Sequence, residues 1–549
     1  MALSSLAARA LLLAVAGAIA LAHPAAAGRT GIVQAAASID AAPIDATESD
    51  AALDAYLNDQ LDQLGLPGIS AAVVRDGVIE HLVALGEADD TGRPMTPQTP
   101  IHVASLSKGF AALAVMQLVE AGAVDLDAPV QRYLPWFRVA DEAASAQITV
   151  AQCLHHTSGI SHDDDFQIRL ATEGITGPSS VEQGVRVLSA VALRDAPGAS
   201  FQYTNLGYNI VGAIVEAVSG QPYADYLAAH VFGPLQMTHT FSTINQARKD
   251  GLGEGFSTVF GAYWQRPVST PEALQPSATT FSSAEDLAHE IEMYLAAGSY
   301  HGTPLLGPDT EKALQAGTPV NDEVSYRMGW WLRPQWELST DPGNASADAA
   351  MATVIEHGGD WDNTSTYMGY VPSTGDGLVV LINANSSTEG SEIRAIPGNA
   401  WRVLLGVPTE PVVPQEDFLQ RFGWQIAAAI VLLQVLVAVG TVWSIRRRSR
   451  RIPSGVDRRR SWLLGLPLIL DGGVLFLGLV LIPAHFDSQF LTLLSDSPPD
   501  VAGLVVAAIA TAVTSAVTRI VLLVRDRRAR PPTWATQAEA LDQSATLRQ

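Results

Sequence analysis

The chain holds one cysteine, Cys153, among 549 residues. A single thiol closes no intrachain disulfide, so no disulfide framework supports this fold. Within ITVAQCLHHTSG it reads as a small buried apolar side chain. Lysine is nearly as scarce: Lys108, Lys249 and Lys312 are the only three, and the other thirty basic residues are arginines. Basic charge as a whole is short, with 33 Lys and Arg against 56 Asp and Glu and a formal net charge of -23. That balance disfavours nucleic-acid binding. Zinc-ligand spacings and phosphate-binding glycine loops are missing, so neither a metal nor a cofactor is expected. His162-Asp163-Asp164-Asp165 gathers ligand-type side chains, but carboxylates in a loop ordinarily just face water.

Charge is unevenly spread. From Glu416 onward there are 15 Arg and 10 Asp or Glu, a net of +5, which leaves the preceding body at -28. An acidic body and a basic tail suggest two environments. At the N-terminus, Arg9, the apolar run Ala10 to Ala22 and the small residues Ala25-Ala26-Ala27 read as a signal peptide over 1–27. Three apolar segments near the C-terminus, 424–445, 462–482 and 501–524, are each long enough to cross a bilayer. The loop 446–461 between the first two carries eight arginines, RDRRAR follows the third, and the loop between the second and third has neither Lys nor Arg. The positive-inside rule puts both arginine clusters, and the tail 525–549, in the cytoplasm. Everything before Trp424 is then outside, as the signal peptide independently requires. The expectation is a multi-pass membrane protein whose main domain lies on the extracytoplasmic side. Asp471, inside the second span beside Gly472 and Gly473, reads as a helix irregularity or packing contact.

Between signal and spans, 28–47 is an Ala-rich linker and 48–412 forms one domain. Leu53, Tyr56, Leu57, Leu61 and Leu64 have helical spacing. ISAAVVRDGVIEHLVALGE reads as two strands about an Arg-Asp-Gly turn. Lys108 to Glu120 is a helix, and a mostly helical stretch runs to about Gly298. STYMGYVP and DGLVVLINAN are strands around Ser373, Thr374 and Gly375, and Arg394 to Leu405 is a closing helix. Strands at both ends with helices between predict an α+β fold: one antiparallel sheet from the N- and C-terminal segments, flanked by helices, against a helical lobe.

Three short motifs carry chemistry. In Ser105-Leu106-Ser107-Lys108 the first and last residues share a helix face. A serine hydroxyl needs a base to become a nucleophile, and a lysine can be that base when burial lowers its pKa. In a chain that uses arginine by default, a lysine here is notable, because a guanidinium cannot give up its proton. In Tyr203-Thr204-Asn205 the phenol can relay a proton, and the Asn amide can hold the lysine or a substrate carbonyl. In His357-Gly358-Gly359 the glycines let a substrate backbone approach a strand edge, and His357 can donate a hydrogen bond to it.

Together, in this order, the three motifs resemble the serine β-lactamase and penicillin-binding-protein superfamily, most closely its class C-like branch of β-lactamases, D,D-carboxypeptidases, D-aminopeptidases and esterases. CLHHTSGI, FSSAEDLA and YRMGWW add to the likeness, which runs from about Leu53 to Leu405. The resemblance implies that Ser105 is the acylated nucleophile, that Lys108 and Tyr203 are the general-base pair, and that Asn205, His357 and Gly359 bind substrate. It also implies an oxyanion hole formed by the N–H groups of Ser105 and Asp360, with the HTSG segment supporting the site. His357 and Gly359 fall where the family often has Lys-Thr-Gly. Losing that lysine weighs against recognition of a substrate carboxylate and leaves esters or other amides open. The expected partners are a small-molecule or peptide substrate in the cell envelope and the lipid bilayer. The competing expectation is a catalytically silent binding or sensor module on the same fold.

Overall fold

A computed structural model describes residues 46–411, apart from 163–164, 173, 260–261, 269, 316, 322–323, 335–352 and 387–389, together with scattered positions between 503 and 521. The expected signal peptide, the first two spans, the arginine loop and the cytoplasmic tail lie outside the described residues, as does half of the third span. Among the described residues no helix is long and apolar enough to cross a membrane.

Helix α1 (Ala46–Leu64) starts a few residues before its apolar pattern does and leads into strands β1 (Gly68–Arg75) and β2 (Val78–Gly86). Asp76 and Gly77 join the strands with φ of 49° and 73°. Two successive positive φ values make the tight turn whose twist suits a hairpin. The helical lobe follows, including α2 (Ser107–Glu120), α3 (Asn205–Ser219), α4 (Gln275–Ala278) and α5 (Ala284–Leu295). The chain then returns to strands: β3 (Thr318–Pro319), β4 (Ser325–Arg327), β5 (Trp330–Pro334), β6 (Thr353–Trp361), β7 (Thr364–Val371) and β8 (Asp376–Ile382). Helix α6 (Gly390–Leu404) closes the domain.

The main sheet has eight antiparallel strands in the order β2-β1-β8-β7-β6-β5-β4-β3. It is built from the two ends of the domain, as the order of elements predicts. It is wider than the pattern suggested, because β3 to β6 are short or rich in Pro and Gly and their apolar alternation is faint. Strand β1 is buried on both faces, which explains its unbroken apolar run. On one face Ala72, Val74, Val379 and Leu381 join the lobe core around Phe110, Leu113 and Ile291. On the other, Ala71, Val73, Leu378 and Val380 pack with Leu53 and Leu57 of α1 and Ile393, Ile396 and Trp401 of α6. Helix α2 penetrates the lobe core, with every residue from Ser107 to Met116 buried. It is apolar all round, as a helix with no wet face should be.

Candidate active site

Ser105 sits in a 3-10 turn, Ala104–Leu106, that runs straight into α2. Ala104, just before it, has φ 47°. A non-glycine residue in this region costs on the order of 1–3 kcal/mol and persists only where its surroundings enforce it. The enforcement is visible. Ser107 Oγ donates to Ala104 O at 2.6 Å and accepts from Thr280 N at 3.0 Å. Val103 N donates to Thr280 O at 3.0 Å. Thr366 Oγ1 on β7 donates to Val103 O at 3.1 Å. The turn that carries Ser105 is thus clamped from the lobe and from the sheet.

One turn further on, the Lys108 side chain is fully buried. Its Nζ donates to Ser105 Oγ at 3.0 Å, to Asn205 Oδ1 at 2.7 Å and to Ser277 O at 2.9 Å. The i, i+3 spacing aims the amine at the serine. Asn205, the first residue of α3, reaches it because Thr204 caps that helix: Thr204 Oγ1 accepts from Leu206 N at 3.2 Å. The same cap fixes Tyr203 at the cleft wall, where Lys108 Nζ lies 4.9 Å from the ring centroid. Below Tyr203 is His156, ring to ring at 4.4 Å, and Trp331 stacks beside it at 6.0 Å with 15° between the planes.

His156 belongs to the HTSG segment and is buried under Tyr203. Its Nδ1 accepts from Thr204 N at 3.2 Å, so it helps hold the residue between Tyr203 and Asn205. Burial, with the Lys108 charge beside it, keeps this imidazole well below its ordinary pKa and therefore neutral.

His357 and Gly359 lie on β6 against the Ser105 turn. A Cβ at Gly359 would stand 2.2 Å from Val103 O and 2.3 Å from Thr366 Oγ1, so this close approach requires glycine. His357 Nδ1 is 2.6 Å from Gly358 O. A carbonyl only accepts, so Nδ1 carries the ring proton. Burial, aided by Lys108, depresses the His357 pKa to about 3. In the neutral ring Nε2 is therefore a lone pair, and it is buried without a hydrogen-bond partner. In this tautomer Nε2 is an acceptor, and the ring carries no positive charge.

Asp360 lines the same open cleft as Ser105 and Tyr203, a space of ≈ 610 Å³. Its carboxylate accepts from Arg394 Nε of α6 at 2.9 Å, and Arg333 pairs with Glu356 at 2.7 Å. Among the described residues no group of His, Cys, Asp and Glu could hold a metal ion; Asp163 and Asp164 are outside them. Cys153 is buried in the lobe core, and burial pushes its thiol up to about 12.

The structure therefore brings Ser105, Lys108, Tyr203, Asn205, His357 and Gly359 around one point, with Asp360 on the cleft wall. Motif reading missed two contributors. The Ser277 carbonyl leaves no trace in sequence, since any residue supplies one. Trp331 lies in YRMGWW, and the Trp-Trp pair there is the signal that could have found it.

Comparison with known proteins adds four findings. A family model described as Beta-lactamase matches residues 53–396. Protein flp of Staphylococcus aureus (strain MW2) is 28% identical over 421 residues, covering 74% of this chain and 78% of that protein. Esterase EstB of Burkholderia gladioli is 38% identical over 214 residues, 37% of this chain and 54% of the esterase. Among solved structures, the octameric penicillin-binding protein homologue from Pyrococcus abyssi matches with a TM-score of 0.55 at 24% identity, covering 66% of this chain and 78% of that one. At that identity the likeness is one of fold.

Proposed function

The chain belongs to the beta-lactamase family, and from that premise we propose that it is an extracytoplasmic serine hydrolase of the class C-like branch, anchored by three C-terminal spans and acting on an ester or amide through a covalent acyl-enzyme. The observation that carries the reading is the fully buried Lys108 amine, 3.0 Å from Ser105 Oγ. With the amine neutral, the same contact runs in reverse: Ser105 donates its proton to Nζ as Oγ attacks the substrate carbonyl. The Oγ–acyl bond forms, the oxyanion is held by the N–H groups of Ser105 and Asp360, and the bond to the leaving group breaks as that group takes the proton. Tyr203 shares the proton transfer, and Asn205 fixes the amine. Water then attacks the acyl-enzyme by the same route and frees Ser105.

Two points favour esters over β-lactams or D,D-peptides. His357 offers a lone pair where a substrate carboxylate needs a cation, and the Burkholderia relative is an esterase. The test is covalent labelling of the purified chain with a fluorophosphonate. Labelling of Ser105, lost in Ser105→Ala, is expected; a wild-type chain that resists labelling would mean a silent binding module. External protease on intact cells is expected to remove the labelled domain while sparing 446–460, and a protected domain would sink the topology.

A further inference from the structure

The cleft does not end at the nucleophile. Strand β5 pairs with β6 only as far as Glu356, opposite Trp331. Beyond it, from His357 to Trp361, that edge of β6 is bare of strand pairing among the described residues. The two faces of this bare stretch differ. Gly359 presses on Val103 and the nucleophile turn. Glu356, Gly358 and Asp360 look the other way, toward α6. Asp360 pairs there with Arg394, and Tyr367, opposite Gly358 in the register, accepts from Trp401 Nε1 at 2.9 Å and donates to Glu356 at 2.7 Å. Yet the one continuous cleft that contains Ser105 is also lined by Val354, Tyr367, Pro397, Gly398 and Trp401. It wraps the bare edge of β6 and passes from one face of the sheet to the other. The crossing point is Gly358, where a Cβ would meet only Thr366 O at 3.8 Å, so no side chain of the strand stands in the way.

We infer that this continuation is a second arm of the substrate cleft, which takes an extended apolar substituent of the ester or amide around β6 and against α6. It rests on the acyl-enzyme reading given above. The lining selects the chemistry. Its floor is Val354, Pro397 and the buried indole of Trp401, and the Tyr367 hydroxyl is already committed to Glu356 and Trp401. The charges on its rim are paired, Arg333 with Glu356 and Arg394 with Asp360, so an ionic substituent gains little there. What the arm offers is aliphatic and aromatic surface, which rewards an alkyl or aryl chain roughly in proportion to the area it covers.

The experiment uses the full chain in native membrane vesicles and three fluorophosphonates: a short one, one with an octyl group on the phosphonate carbon, and one with octyl on the alkoxy oxygen. One of the octyl probes is expected to label Ser105 at least about tenfold faster than the short probe, on the scale of several part-buried methylenes. Two substitutions then plug the arm. At Gly398 on α6 a Cβ meets nothing within 4 Å, so Gly398→Phe fills the arm from the α6 side; Gly358→Leu closes the crossing. Each is expected to lower the long-to-short ratio at least about fivefold, with the melting temperature held, because the lost contacts are hydrophobic area. Comparing variants in identical vesicles cancels partition of the probe into lipid. Equal rates for short and long probes in the wild type, or plugged variants that keep the preference, would overturn the arm. Failure of every probe to label Ser105 strikes the acyl-enzyme reading itself and removes the arm with it.

Discussion

The inner wall of the cleft and its outer rim solve the problem of polarity in opposite ways. Inside, Lys108, His156 and His357 are buried. The two imidazoles are held neutral, with one nitrogen each committed to the backbone. Outside, Arg333, Glu356, Arg394 and Asp360 are charged, partly exposed and paired. A buried group is strongly constrained by few partners, whereas a wet ion pair is cheaply replaced by water. Chemistry that depends on a proton's position belongs on the inner wall, and the rim shapes access.

Four substitutions probe this contrast, in falling order of effect. Lys108→Arg keeps a long cation but forbids deprotonation. It is expected to slow labelling of Ser105 about 10²- to 10⁴-fold, the usual worth of general-base help, with little change in melting temperature. Near-normal labelling would remove Lys108 from the mechanism. Gly359→Ala forces a methyl onto Val103 O and Thr366 Oγ1. A loss of about 2–4 kcal/mol in denaturant unfolding is expected, in the range of severe backbone and packing conflicts. A neutral result would mean that β6 can retreat from the Ser105 turn.

His357 ranks third. Its folded pKa, about 3, lies below the ordinary 6.5. The stability it contributes as a neutral ring is complete above pH about 6.5 and is lost as pH falls toward 3, because only the unfolded chain takes up the proton in that window. Relative to His357→Gln, the wild type should lose roughly 2–3 kcal/mol between pH 7 and about 4.5. Parallel stability curves would show instead that the ring is protonated in the fold. The rim comes last. Arg394→Ala breaks a pair whose side chains are 56% and 43% exposed, so less than about 1 kcal/mol is expected. A larger loss would mean the rim is as tightly held as the inner wall.

Much of this was readable from residues alone, for reasons that can be named. The i, i+3 spacing of Ser105 and Lys108 survives folding because a helix fixes it. The hairpin around Asp76-Gly77 and the terminal origin of the sheet follow from strand patterns and element order. What stayed hidden depends on partners far away in sequence. The Ser277 carbonyl on Lys108, the strained Ala104 and the protonated Nδ1 of His357 are set by packing, and motif letters do not encode packing. Helix α6 begins at Gly390 and carries Pro397 within it. Its start before Arg394 has no periodic signal, and a proline inside argues against a helix until burial overrides it.

The strand order also governs when the domain can exist at all. Ile69 of β1 pairs with Ile382 of β8, so the first hairpin waits for a partner more than half the chain away. Until β8 arrives, one edge of β1 offers unpaired backbone groups to any passing strand. Contacts this distant in sequence close slowly. A truncation that removed β8 would therefore strip the hairpin of its only cover on that side and leave it prone to aggregate, even with Ser105, Lys108 and Tyr203 all present. The integrity of the setting around Ser105 is in this sense decided last, by a strand that arrives late in the chain.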